Sequence, residues 1–121
     1  MAYSSEIMLG GFSAGSARAL QGQTETGISA AGTTTTDATV LTASANVLST
    51  VAASSGVRLT DGEINDSVVI YNGGANACAV YPPTGDSFNQ LSANTAIALP
   101  TVTALMCIKV STSQWVAFRS A

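Results

Sequence analysis

A chain of 121 residues has room for one domain and no second one. Only 9% of the residues are charged, the formal net charge is −3, and the four cations, Arg18, Arg58, Lys109 and Arg119, lie far apart in the sequence. This composition argues against nucleic-acid binding, which needs clustered Lys or Arg, and against a polybasic membrane anchor.

Residues 1–36 mix small and polar residues with few apolar anchors, and we interpret them as an extended N-terminal arm. Within the arm, Ile7, Met8, Leu9 and Phe12 form a local apolar cluster. In a free monomer such an arm would be disordered, whereas in an assembled particle it would order along a neighbouring subunit. The sequence leaves both alternatives open.

Residues 37–121 are predicted to form a β-domain, because short runs of β-branched and aromatic residues alternate with Gly, Pro, Asn and Ser. Eight strands separated by turn signals favour an all-β fold, a compact β-sandwich or barrel of the jelly-roll-like kind. A helix over 39–53 is an alternative, because its apolar residues also fit a helical stripe. The predicted strands are 39–42, 46–51, 57–59, 67–71, 77–81, 95–99, 105–110 and 115–119.

Two details of the β-domain carry specific predictions. Gly73 and Gly74 are predicted to supply positive φ angles in a tight reversal, and Pro82 with Pro83 should end any sheet ladder. In strand 105–110, Met106, Ile108 and Val110 share one face, which we expect to be buried, while Lys109 points to solvent.

Export of the chain is not expected. The segment Met-Ala-Tyr-Ser-Ser-Glu at the start lacks the positive region of a signal peptide, and no stretch of about 18 residues is apolar throughout. We therefore expect a soluble protein that is made in a cytoplasm with Cys78 and Cys107 reduced. Both cysteines are interpreted as small buried hydrophobic residues, with a bridge between them as the alternative.

A search for catalytic chemistry finds little. The chain has no His, which removes the usual general base and histidine metal sites. Asp61, Glu63 and Asp66 form the one dense charged group, interpreted as a solvated loop or an ionic contact, with a calcium site as the alternative. A paired-carboxylate glycosidase site would lack its aromatic platforms and deep cleft. We expect no enzyme activity, no cofactor and no metal.

The aromatic residues Tyr71, Tyr81, Trp115 and Phe118 are predicted to be core or oligomer contacts. A ligand-stacking patch is the alternative, as in a small carbohydrate-binding module. Oligomer contacts are favoured by composition, because 50 of the 121 residues are Ala, Ser or Thr and supply a thin core for a monomer. Association of copies would cover sheet edges and add buried apolar surface.

Several short elements in the second half of the chain resemble a β-domain found in structural proteins of tailed bacteriophages. These elements are an Asn-Gly turn at Asn72, the run VYPPTGD over 80–86, Asn89 followed by Leu91, and the ending STSQWV over 111–116, which corresponds to a final S-x-x-W-V in the family. The chain departs from that pattern at Gln90, where the family usually has Gly after the Asn. The resemblance covers about half of the chain and carries no catalytic motif.

The resemblance implies a virion structural protein. The main expectation is a capsid decoration (cement) protein that stands as a homotrimer on the capsid surface and binds the major capsid protein. Ile7, Met8, Leu9 and Phe12 would then form the capsid-contact arm. The alternative is a tail, head-fibre or tail-fibre component with a role in attachment.

Overall fold

The computed structural model describes residues 23–120, which form strands, turns and loops and contain no helix. The all-β prediction is confirmed, and the segment 39–53 holds strands in place of the alternative helix. Each of the eight predicted strands overlaps an observed one, whereas β1 and β7 were not predicted. The strands are β1 Thr24–Ser29, β2 Thr39–Leu41, β3 Ala45–Thr50, β4 Gly56–Leu59, β5 Ser67–Asn72, β6 Cys78–Tyr81, β7 Ser87–Phe88, β8 Ile97–Leu99, β9 Thr103–Lys109 and β10 Gln114–Arg119.

The first six strands alternate between two sheets, so that the chain coils. In one sheet β1, β3 and β5 lie side by side in parallel, and in the other β2, β4 and β6 do the same. Each coil therefore contributes one strand to each sheet, as in a β-solenoid. Parallel neighbours in register place like positions above one another, for example Val40 beside Arg58 and Val47 beside Tyr71.

The stack of coils is closed by antiparallel strands. Strand β8 pairs with β6 in the four-stranded sheet, while β9 and β10 extend the six-stranded sheet beyond β5. Short strand β7 lies parallel to β10 at the sheet edge. The structure has two sheets, and their strands stack as solenoid-like coils and not as the predicted jelly-roll-like sandwich or barrel.

The connection after β5 shows why the turn residues predicted the wrong arrangement of strands. It is a corner between the two sheets and not a hairpin, and neither Gly73 nor Gly74 has the predicted positive φ. Gly74 is needed for space, since a Cβ there would lie 2.6 Å from Cγ2 of Val51. Corners and hairpins use the same residue types, so the sequence does not distinguish them.

The core lies between the two sheets. The six-stranded sheet contributes large buried side chains such as Leu48, Ile70 and Trp115, and the four-stranded sheet contributes Leu59 and Leu99. Two buried asparagines bind the backbone at corners. Asn72, for example, donates from Nδ2 to the carbonyls of Asn76 and Leu99, both at 2.9 Å.

The predicted orientation of strand β9 is wrong. Its buried face consists of Leu105, Cys107 and Lys109, whereas Met106 and Val110 are exposed. The strand is apolar on both faces, so alternation alone does not indicate which face is covered.

The β-structure begins inside the range assigned to the extended arm, because β1 lies before residue 36 and pairs with β3. The predicted contact residues Ile7, Met8, Leu9 and Phe12 lie outside the residues that the structure describes.

Candidate functional site

Residues 82–94, which contain the short strand β7, form a segment that we call the edge cap. It starts where Pro82 and Pro83 end strand β6, as predicted, because neither residue can donate to a sheet ladder. Gly85 has a φ of +90°, which favours glycine, and its N–H donates to Oδ1 of Asn94 at 2.7 Å. The N–H of Asp86 donates to the carbonyl of Pro83 at 2.9 Å. These bonds give the loop a defined shape.

The edge cap covers the free edge of β10. The N–H of Asn89 donates to the carbonyl of Trp115 at 2.8 Å. The Asn89 side chain then continues the ladder, since its Oδ1 accepts from the N–H of Ala117 at 2.9 Å and its Nδ2 donates to the carbonyl of Ala117 at 3.0 Å. An uncovered edge would expose unpaired backbone groups to other chains. The cap therefore has a structural role.

Three of the four elements of the resemblance meet at this edge, whereas the turn at Asn72 lies at the corner after β5. Asp86, at the end of the PPTGD run, accepts a hydrogen bond from the indole N–H of Trp115 at 3.0 Å. The indole is buried in the core, with 1% of the residue exposed. These contacts lie in the interior, so the motif makes no open ligand site.

The other three predicted aromatic contacts lie elsewhere. Tyr71 and Phe118 are 38% and 54% exposed on the outer face of the six-stranded sheet. Tyr81 is half-buried on the four-stranded sheet, and its hydroxyl donates to the carbonyl of Thr33 at 2.9 Å. The four aromatic residues therefore do not form one stacking patch.

The cysteines are placed as inert core residues. Cys78 and Cys107 are both buried and both free thiols. Burial raises the pKa of Cys78 to about 11 and the pKa of Cys107 to about 12. Since the thiolate is the reactive form, neither side chain is a nucleophile near neutral pH.

In the acidic group Asp61, Glu63 and Asp66, Asp61 forms an ion pair with Lys109. Nζ of Lys109 donates to Oδ1 of Asp61 and to the carbonyl of Gly62, both at 2.7 Å. The hydrogen bond from Lys109 lowers the pKa of Asp61, and the same bond raises the pKa of Lys109. Lys109 was predicted to face solvent, but it is buried and ion-paired with Asp61. Among residues 23–120, no group of three or more acidic, Cys or His side chains is placed to hold a metal ion.

A shallow depression of about 260 Å³ lies where strands β2, β4 and β6 of the four-stranded sheet end. Its charged groups already have partners in the fold. Arg58 donates from Nη1 to the carbonyl of Thr35 at 3.0 Å and to Oγ1 of Thr84 at 3.4 Å, while Asp61 binds Lys109. The depression therefore offers no convergent set of free polar groups to a ligand.

The feature that stands out is the outer face of the six-stranded sheet. Side chains from β3, β5, β9 and β10 alternate there with the core residues, and none of them is charged. The registers align them in rows across the sheet, with Val69 beside Met106 and Met106 beside Phe118. We call this surface the apolar face; it consists of Ala45, Val47, Val69, Tyr71, Ala104, Met106, Ile108, Val116 and Phe118.

The four-stranded sheet has a different outer face. Loop residues before β2 cover part of it, since Tyr81 and Arg58 bind the carbonyls of Thr33 and Thr35. Arg58 also places a charge in the middle of that surface. Among the surfaces formed by residues 23–120, only the apolar face combines exposure, apolar character and absence of charge, which is the combination typical of an interaction surface.

Consecutive apolar residues are the signal that could have located the apolar face. Strands β5, β9 and β10 are apolar at consecutive positions, a pattern typical of strands covered on both sides. The sequence analysis predicts one buried face for strand 105–110 and does not use this signal. In the described part of the chain, no helix is long and apolar enough to cross a membrane.

Comparisons of the chain with protein-family models, with curated proteins and with solved structures found no match.

Proposed function

We propose that this chain is a non-enzymatic structural protein of a tailed bacteriophage, a capsid decoration protein that binds the major capsid protein as a homotrimer. The observation that carries the proposal is the uncharged apolar face on a small, charge-poor β-domain, together with the phage-like elements of the second half. In a solvated monomer such a face would leave apolar side chains in water, whereas a subunit of an assembly buries it against a neighbour.

The mechanism would be interface burial. A trimer that bridges neighbouring capsid subunits binds the assembled lattice but not the free subunits, so it stabilises the shell by mass action. Residues 7–12 are the proposed capsid-contact arm, because Ile7, Met8, Leu9 and Phe12 offer an apolar anchor. The protein would be made in the host cytoplasm and reside on the capsid surface, without nucleic acid, membrane or cofactor as partner.

A tail, head-fibre or tail-fibre component is the second candidate, and the solenoid-like stacking favours it. Parallel coils can be extended along one axis by adding further coils, a property suited to elongated attachment structures.

Copy number distinguishes the two candidates. Quantitative mass spectrometry on purified particles of the phage or induced prophage that encodes the chain would measure its copies relative to the major capsid protein. Comparable copies support the decoration protein, and a handful supports the tail or fibre component. Particles that lack the chain contradict both.

The role of the arm has its own test. A variant that lacks residues 2–22 removes the apolar anchor but keeps every described strand. We expect it to remain folded and to lose co-sedimentation with purified capsids. Full binding by this variant would refute the arm as the capsid contact.

A further inference from the structure

We infer that the apolar face is the surface through which copies of this chain bind one another. This inference rests on the homo-oligomer in the proposed function, and it adds the location of the subunit contact. The occupant of the face is a second copy of the chain; a capsid subunit is the alternative occupant, and the experiment below distinguishes the two.

The first argument comes from the strands themselves. In β9 the core-facing residues Leu105 and Cys107 alternate with Met106 and Ile108, which are also apolar. In β10 the core-facing Trp115 is followed by outward Val116. A sheet with one solvated face normally has polar residues outside, and apolar runs of this kind occur where both faces are covered. Within residues 23–120 no segment covers this face, so its cover comes from outside those residues, and the next two arguments favour a second copy of the chain.

The second argument concerns charge. Where copies of one surface meet around a symmetry axis, the side chains nearest the axis meet their own copies, so a charge there would face a like charge. The apolar face has no charge, and its polar border includes the neutral residues Ser67 and Gln114. The face is therefore compatible with itself, whereas Arg58 makes the opposite sheet unsuited to such contact.

The third argument concerns area. Four strands about 4.8 Å apart and about six residues long span on the order of 400 Å² in projection. Accessible area exceeds projected area because side chains protrude, and this brings the face toward the roughly 800 Å² per partner of a stable interface. Permanent contacts between identical subunits are also more apolar than docking contacts, which favours a second copy over a capsid subunit.

The experiment compares variants of the whole chain by analytical ultracentrifugation. Phe118→Glu and, separately, Met106→Glu place a charge on the apolar face at positions that are exposed in the monomer. Val40→Glu is the matched control, since Val40 is 45% exposed on the opposite sheet and pairs with Arg58. Fluorescence of the buried Trp115 reports whether each variant keeps the fold.

We expect the wild type and Val40→Glu to sediment as oligomers and both face variants to sediment near the 12.1 kDa of one chain, with unchanged Trp115 emission. Folded face variants that remain oligomeric would overturn the inference, as would dissociation of the control to the same extent. A monomeric wild type would overturn both the inference and the proposed homotrimer.

A measurement on the wild type alone covers the case in which a variant does not fold. Met106 is 37% exposed in the monomer, so peroxide should oxidise its thioether. We expect oxidation to be several-fold slower at concentrations at which the chain is oligomeric than at high dilution. Equal rates would overturn the inference. Oligomers that depend on this face but do not bind capsids would overturn the decoration function and leave the subunit contact in place.

Discussion

The indole Nε1 of Trp115 lies 3.0 Å from Oδ2 of Asp86, and both residues are buried where the last strand meets the loop that covers its edge. The hydrogen bond joins two elements of the phage-like pattern that are 29 residues apart in the chain. It satisfies a donor that would otherwise be unpaired inside the core. The pattern thus describes how the C-terminal edge of the sheet is closed.

Removing the acceptor should destabilise the protein. Asp86→Ala leaves the buried indole N–H without a partner, and we expect the free energy of unfolding to fall by about 1–3 kcal/mol. Urea unfolding followed by Trp115 fluorescence measures the change. Asp86→Asn keeps an acceptor oxygen in place, so its free energy of unfolding should fall by less than that of Asp86→Ala. If Asp86→Asn lowered the free energy of unfolding as much as Asp86→Ala or more, the role assigned to this hydrogen bond would be refuted.

The pair Lys109–Asp61 should respond asymmetrically to mutation. The Lys109 side chain is 6% exposed and the Asp61 side chain 72% exposed. Asp61→Ala leaves a buried ammonium group without its counter-ion, whereas Lys109→Met leaves a carboxylate in water. We expect Asp61→Ala to have the lower urea midpoint at pH 7. Glu63→Gln, in the same exposed loop, is the control and should be close to wild type.

The same pair predicts a pH dependence. The pKa of Asp61 is lowered from its ordinary value of 3.8 by the hydrogen bond from Lys109. The pair therefore stabilises the fold fully above that ordinary value, and the contribution is lost as the pH falls through the lowered pKa. The urea midpoint of the wild type relative to that of Lys109→Met should be constant from about pH 7 to 5 and should fall in stronger acid, where Asp61 loses its charge. A wild-type midpoint that rises relative to the variant on acidification would contradict the assignment.

The turn before β9 contains a strained residue. Val102 has a φ of +59°, a region that β-branched residues rarely adopt, and it is 69% exposed. Because Asn tolerates this conformation, Val102→Asn should raise the free energy of unfolding by about 1 kcal/mol. Val40→Asn, an equivalent change at an exposed strand position, should not stabilise the protein. Equal effects from the two changes would show that backbone strain is not the cause.

The fold should protect the thiols of Cys78 and Cys107 from chemical modification. Burial raises the pKa of Cys78 to about 11 and that of Cys107 to about 12, so both are protonated near neutral pH. We expect no reaction with a thiol reagent at pH 8 in the native protein and reaction of both groups in denaturant. A native thiol that reacts as fast as a free cysteine would contradict its position in the core.

The sequence alone located eight of the ten strands among residues 23–120, because β-branched and aromatic runs between turn residues mark extended segments whatever their partners. The absence of catalytic histidines likewise follows from composition. Strand β1 was missed because Thr24–Ser29 is polar and mostly exposed, and β7 because Ser87–Phe88 is too short to give a pattern.

Only the tertiary structure decided how the strands pair and which faces are covered. A corner and a hairpin need the same residue types. The same pattern of turn residues is therefore compatible with parallel coils and with a jelly roll. The two folds differ in contacts between segments that are far apart in the chain. Which face of β9 is buried depended on the same contacts. Met106 and Cys107 are both apolar, and only packing against the second sheet determines which of them lies inside. The partners of Lys109 and Trp115 were also hidden, because Asp61 and Asp86 lie 48 and 29 residues away and meet them only in the folded chain.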